Sequence, residues 1–240
     1  MNTETTKPSS VTATVSLFCA NALRKPVEEV IMPAFTRATG QPVYIVFDST
    51  ARLLERVNAG AKPAVFVGLS GSLGNPEPPG SDAFHTARHI VRSGIGVAAA
   101  PDAKAPSITT VEELAFALTR CRSVAYSRTR PSGTYFHRML EDLGIADIVN
   151  SRATFVEEGS TASALIDGRA VLAVQQISEL KLVPEVNFLG PLPAAVQRYT
   201  EFSTYLCNKT ADKYLATALF NFLSSSLARS AYAAAGLQAF

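Results

Sequence analysis

Tryptophan is absent from this 240-residue chain, and histidine and cysteine occur three times each. Cys19, Cys121 and Cys207 lie far apart and are odd in number, which excludes a disulfide framework. They have no metal-ligand spacing, nor do His85 and His89, so neither a metal nor another cofactor is expected. The cysteines read as buried free thiols of a reducing compartment. Apolar runs are short: none approaches the ~18 residues of a membrane-spanning helix. A dominant charge is missing too. The net charge is +2 and the basic residues are scattered, which excludes a nucleic-acid footprint. The opening M-N-T-E-T-T-K-P-S-S lacks the apolar segment of a secretory signal. A cytoplasmic location is therefore expected, or a periplasmic one if the chain is a trimmed mature form. Without export, no transporter partner is expected. Neither a helix-turn-helix nor a coiled-coil pattern supports a regulatory module.

What is present is core material, with 47% of residues hydrophobic. Apolar strands alternate with amphipathic helices along most of the chain, a pattern that predicts an α/β fold with mainly parallel sheets. Residues 1–10 read as a disordered tail. Val11 to Cys19 reads as a first strand, followed by a helix over about 25–38 that ends at Gly40. A second strand runs from Pro42 to Phe47. Asp48-Ser49-Thr50 then caps a helix to Asn58. A third strand spans Ala64 to Leu69, and 70–82 is loop by composition. His89 to Ala99 is a strand interrupted by Gly94 and Gly96, and a helix begins at Thr109 or Thr110.

The stretch S-V-A-Y-S-R-T-R-P-S-G-T-Y-F-H-R-M-L, Ser123 to Leu140, carries the sharpest signal. A short buried strand runs into a hydroxyl- and arginine-bearing loop, then into a helix. Free N–H groups and the dipole at a helix N-terminus favour an anion. Arg128 and Arg130 add permanent positive charge. An ordinary strand–helix turn capped by Ser132 or Thr134 has the same pattern. Parallel sheets take ligands at the carboxyl ends of strands. Polar residues fall at four such ends: Asn21, Ser49 with Thr50, Ser127 to Thr134, and Gln175-Gln176.

Each residue also has a plainer role. Asp48 fits a simple N-cap, and Arg128 and Arg130 fit solvated loop charges. Arg92 fits a surface or hinge position and His137 a structural one. Tyr126 and Tyr135 either pack or hydrogen-bond a ligand. Glu157 and Glu158 read as surface charges, and Glu179 as a cap or ion-pair partner. Gln175 and Gln176 are either ligand contacts or satisfied core amides.

An ordered series of segments carries a resemblance: L-F-C-A-N-A-L-R-K-P-V-E-E-V-I-M-P-A-F-T-R-A-T-G, R-S-G-I-G-V-A, S-V-A-Y-S…S-G-T-Y-F-H-R-M-L-E-D-L-G-I, L-A-V-Q-Q-I-S-E-L…V-N-F-L-G-P-L-P and A-A-G-L. From about Val11 to the C-terminus, the chain resembles the molybdate-binding-protein-like branch of bacterial extracellular solute-binding proteins. The resemblance implies two α/β lobes closing on a small anion, with 11–91 plus 206–240 as lobe 1 and 92–205 as lobe 2. It implies that the chain leaves lobe 1 near Arg92 and returns near Tyr205, and that the C-terminal helices pack on lobe 1. The positions matching ligand contacts are Asn21, Ser49, Thr50, Ser127, Ser132, Gly133 and Gln175; Thr134 belongs to the same loop.

Four departures bear on the ligand. F-D-S-T replaces the usual small-residue turn after the second strand, so Asp48 stands beside an anion site. Ala64-Val65 replaces an acidic position after Pro63, and residues 70–84 are Gly/Pro-rich where a helix is common. Arg128-Thr129-Arg130 replaces a D-P pair. Together these weaken molybdate and favour a di- or tricarboxylate. Some members of the branch are similar to aconitate isomerase. By that likeness Asp48 is the candidate base, and Arg92, Arg128 and Arg130 are candidate carboxylate clamps.

Overall fold

The computed structural model describes residues 15–73, 84–208 and 210–240. The expected tail over 1–10, the first residues of the first strand and most of the 70–82 loop lie outside the described residues. Among the described residues there are ten strands: β1 (Val15–Ala20), β2 (Val43–Asp48), β3 (Val65–Leu69), β4 (Phe84–Ala99), β5 (Val124–Tyr126), β6 (Thr154–Phe155), β7 (Leu172–Gln176), β8 (Asn187–Pro191), β9 (Tyr199–Cys207) and β10 (Gln238–Ala239). Their order is β2-β1-β3-β9-β4-β7-β5-β6, with β8 and β10 also paired to β4.

The sixteen-residue β4 belongs to two sheets in succession. From Phe84 to Gly94 it pairs antiparallel with β9, and from Ile95 to Ala99 with β7 and β8. The outer strands β2, β1 and β3, and likewise β7, β5 and β6, are parallel. Each group is thus the parallel sheet of an α/β half, and the antiparallel pairs sit where β4 and β9 cross. The strand runs straight through Gly94 and Gly96, which the sequence reads as interruptions. A Cβ at Gly96 would meet Ile177 and Phe188 side-chain atoms at 2.9 Å, so bare backbone is needed there for neighbours to close on it. The second crossing begins at Tyr199, opposite Gly94, six residues before the expected return at Tyr205.

Both faces of each sheet are covered, which is why β1 and β3 are almost entirely buried instead of alternating. On one face of the first sheet, Leu17, Cys19, Val65 and Val91 meet Leu23, Ile31 and Phe35 from a helical run over 21–39. The same cluster includes Leu219 and Tyr232 from the C-terminal helices Lys213–Phe222 and Ser226–Ala234, so those helices do return to this half. The run over 21–39 widens to π geometry over Val27–Ile31 just before Pro33, whose ring crowds the preceding turn and which has no N–H to give it. It stops at Gly40, with φ of +69°, as expected. On the opposite face, Phe18, Phe66, Phe84 and Tyr205 pack with Leu53 of the Thr50–Asn58 helix. Burial holds the Cys19 thiol well above its usual range, so it is an inert core group.

In the second half, the Val111–Arg120 helix starts in a capping box of Thr110 and Glu113. It packs with the Pro131–Asp142 helix over Ile95, Val97, Val124, Tyr126, Leu172 and Val174. A cluster of mostly alanines around Ala98, Ala125 and Ala173 covers the other face, under the short Ser163–Ile166 and Ile177–Leu180 helices.

At Gly133 an added Cβ would stand 1.6 Å from the carbonyl oxygen of Ser127. Backbone cannot yield as a flexible side chain can, so the Pro131–Asp142 helix docks on the end of β5 only with glycine there. Gly133→Ala is expected to lower stability by about 3 kcal/mol or more, the upper end for overpacking, as measured by urea denaturation.

Candidate functional site

The loop after β5 is organised by one acidic side chain. Glu157 Oε2 accepts hydrogen bonds from the hydroxyls of Thr129 (2.7 Å) and Ser127 (2.9 Å), and Oε1 accepts from the Arg128 N–H (3.2 Å). The Thr129 hydroxyl first, then the Ser127 hydroxyl and the loop N–H groups, hold the Glu157 carboxyl down at about 2. The strand before it is only Thr154–Phe155, and the surface role read for Glu157 is overturned. Arg128 lies over the Phe155 ring at 4.2 Å, with Nε 3.5 Å from Glu157.

Arg130, not Ser132 or Thr134, is the N-cap of the Pro131–Asp142 helix, and it brings no side-chain cap. The Thr134 hydroxyl donates instead to the carbonyls of Arg128 and Arg130. Ser132 and Gly133 are buried beneath this first turn. Arg130 Nη1 stands 3.7 Å from Glu179 Oε2, close enough to pair and too far for a hydrogen bond, so the guanidinium keeps donors to offer. Glu179 also accepts from Gln175 Nε2. Burial pushes the Glu179 carboxyl up, against the pull of Arg130 and of the Gln175 amide. Gln175 Oε1 accepts from Ser160 Oγ, Thr161 N and Thr161 Oγ1. Gln175 is a saturated core amide in this arrangement.

In the first half, Asn21 begins the helical run directly after β1. Ser49 is the N-cap of the Thr50–Asn58 helix, accepting from Arg52 N. Asp48 is not the cap: its Oδ1 accepts from Ser49 N at 2.8 Å, and its Oδ2 lies 3.6 Å from Arg56. That pairing provides the compensation a carboxylate needs beside an anion site. Thr50 is buried, and its hydroxyl accepts from Leu69 N.

The halves touch near these groups. The Ile177–Leu180 helix, which carries Glu179, packs on the turn Asn21–Leu23. Arg52 of the first half lies 3.7 Å from Glu158 of the second, next to the loop-organising Glu157. Arg92 stays apart from these groups, with its Nε on Gln238 Oε1 (2.8 Å) and its guanidinium over Tyr199.

A cleft of about 560 Å³ lies beside the crossing strands, lined by Ile95, Thr129, Pro131, Thr134, Tyr135, Arg198, Tyr199 and Thr200. Thr134 alone among the expected site residues is part of that lining. Tyr126 and His137 are tied to each other and to Asn150 through Tyr126 Oη, a structural arrangement. Sequence reasoning passed over the organising roles of Glu157 and Glu179. Among the described residues, no group of three or more His, Cys, Asp or Glu is placed to hold a metal ion.

A family model for the bacterial extracellular solute-binding protein matches residues 15–238. The chain belongs to this family. As a member of the bacterial extracellular solute-binding proteins, it is similar to an aconitate isomerase of a Pseudomonas species, 27% identical over 231 residues, which span 94% of this chain and 87% of the relative. In fold it resembles the periplasmic molybdate-binding protein of Azotobacter vinelandii, with a TM-score of 0.71, 19% identity, and 93% and 98% of the two chains covered. It also resembles PEB3 bound to L-phospholactate, with a TM-score of 0.69, 14% identity, and 93% and 99% coverage. These likenesses make the two-lobed solute-binding fold the architecture of the chain.

Because the folded Glu157 carboxyl sits near 2 against an ordinary 4.5, its bonds stabilise the protein above about pH 4.5 and lose that effect as pH falls toward 2. Glu157→Gln should therefore melt earlier than wild type at pH 7, with the gap closing as pH falls toward 2. Thermal melts of both proteins across that range check this, and an unchanged gap would contradict it.

Proposed function

We propose that this solute-binding protein takes a small organic di- or tricarboxylate between its lobes. The observation that carries the proposal is the N-terminus of the Pro131–Asp142 helix. It has no side-chain cap, Arg130 stands at it, and Thr129, Pro131 and Thr134 around it line the cleft. Uncapped N–H groups, the helix dipole and a permanent cation together favour carboxylate oxygens. A volume of about 560 Å³ suits an organic ligand, within the ~300–1,000 Å³ common for such sites. Asn21, Ser49 and Thr50 face this loop from the first lobe in our reading, and Arg198 adds a further cation to the lining. Arg128 and Arg130 each retain an acidic partner, so a ligand carboxylate competes for an already balanced cation. That favours a guest with more than one carboxylate.

A second reading is isomerisation of such an acid by proton transfer. The similarity to an aconitate isomerase favours it, as does a buried carboxyl at Glu179 that holds its proton more readily than usual. In this reading Asp48, at the end of β2, is the candidate base on the first lobe.

Thermal-shift assays with citrate, cis- and trans-aconitate, molybdate, tungstate and sulfate test the proposal. A ligand at a hundredfold excess over its dissociation constant stabilises by about 2.7 kcal/mol. Citrate or aconitate is expected to shift the melt and molybdate is not; the reverse would make the protein an oxyanion binder. Arg130→Gln should weaken the carboxylate by about tenfold or more, since it removes a charge-assisted partner. Proton NMR of the bound acid in heavy water separates the two readings. Deuterium exchange or cis/trans interconversion, abolished by Asp48→Asn, marks the isomerase, and an unchanged ligand marks the binder.

A further inference from the structure

Gln176 closes β7 beside the saturated Gln175, yet its bonding is the opposite. It is 6% exposed, and its Oε1 has no hydrogen-bond partner among the described residues. It occupies the N-cap position of the Ile177–Leu180 helix without capping it. Its direct cross-strand partner is Ile95, and opposite residues of an antiparallel pair project from the same face. Ile95 lines the cleft with Thr129, Pro131 and Tyr135. A neighbouring strand, β5, leads into the Ser127–Arg130 loop, and the Pro131–Asp142 helix packs on β7 itself. The amide therefore sits on the same sheet face as Ile95, next to the cleft lining.

A buried acceptor without a donor is costly and is rarely retained without a purpose. We infer that Gln176 is a specificity-determining residue whose Oε1 accepts a hydrogen bond from a hydroxyl of the ligand, so that the site selects hydroxy-carboxylates over their deoxy counterparts. The inference rests on the carboxylate reading and sharpens it. The helix N-terminus and Arg130 recognise the acid groups, which every member of the class offers. The Gln176 carbonyl recognises the one donor that distinguishes among them. A site that leaves a buried polar group unpaired rejects the analogue lacking the matching hydroxyl.

Two matched pairs of acids test this by calorimetric titration: malate against succinate, and citrate against tricarballylate. Each pair differs by one hydroxyl. In the wild-type protein, at least one hydroxy acid should bind about tenfold or more tightly than its partner. Gln176→Met, similar in size but without the amide oxygen, should bring that ratio to within about twofold, chiefly by weakening the hydroxy acid. Without ligand, the same variant should melt no lower than wild type, because nothing in the protein loses a partner. Equal affinities within both pairs, a ratio that survives in Gln176→Met, or a marked loss of unliganded stability each overturns the inference alone. Failure of all four acids to bind overturns it together with the carboxylate reading.

Discussion

Everything in this molecule is hung on the hydrogen-bonded ladder between β4 and β9. β4 runs for sixteen residues and satisfies its backbone in one sheet up to Gly94 and in another from Ile95 onward. A strand that changes sheets must keep its donors and acceptors paired throughout, since unpaired buried backbone is expensive. β9 provides that continuity on one side, and β7 and β8 take over on the other. The β4–β9 ladder thus sets how the two parallel sheets face each other. It also fixes where the carboxyl ends of β1, β2, β5 and β7 can meet. The glycines at 94 and 96 leave space for Gln197, Tyr199, Ile177 and Phe188 to close over the crossing.

Charge around the Ser127–Arg130 loop and the end of β2 is arranged by compensation. Arg128 answers Glu157, Arg130 answers Glu179, and Arg56 answers Asp48. In each pair the guanidinium stands 3.5–3.7 Å from the carboxylate, so the cation is neutralised in the field without its side-chain donors being used up. Glu157 does more than balance charge. By collecting two hydroxyls and an N–H, it fixes the loop that delivers the Pro131–Asp142 helix.

Much of this was legible in the chain. The βα alternation, the Gly40 stop and the Thr110 start depend on residues close in sequence, and such signals survive in one dimension. The polar strand ends at Asn21, Ser49 and Ser127 were readable for the same reason. The role of Glu157 was not, because its partners lie 28 to 30 positions away. Nor could composition distinguish Gln175 from Gln176. Successive residues of a strand point to opposite faces, so one amide meets Thr161 and Glu179 while its neighbour lies on the face that carries Ile95. β10 escaped notice because two residues cannot show a period; its pairing to β4 identifies it.

The Arg52–Glu158 contact has a kinetic meaning. Both side chains are mostly in solvent, at 63% and 89% exposure, and a pair so wet contributes little. The ion pair is therefore a slight clasp, and the packing of the Ile177–Leu180 helix on the turn Asn21–Leu23 is left to hold the halves to each other. Any parting of the halves is then limited by that packing and not by the charges, so added salt should change its rate little.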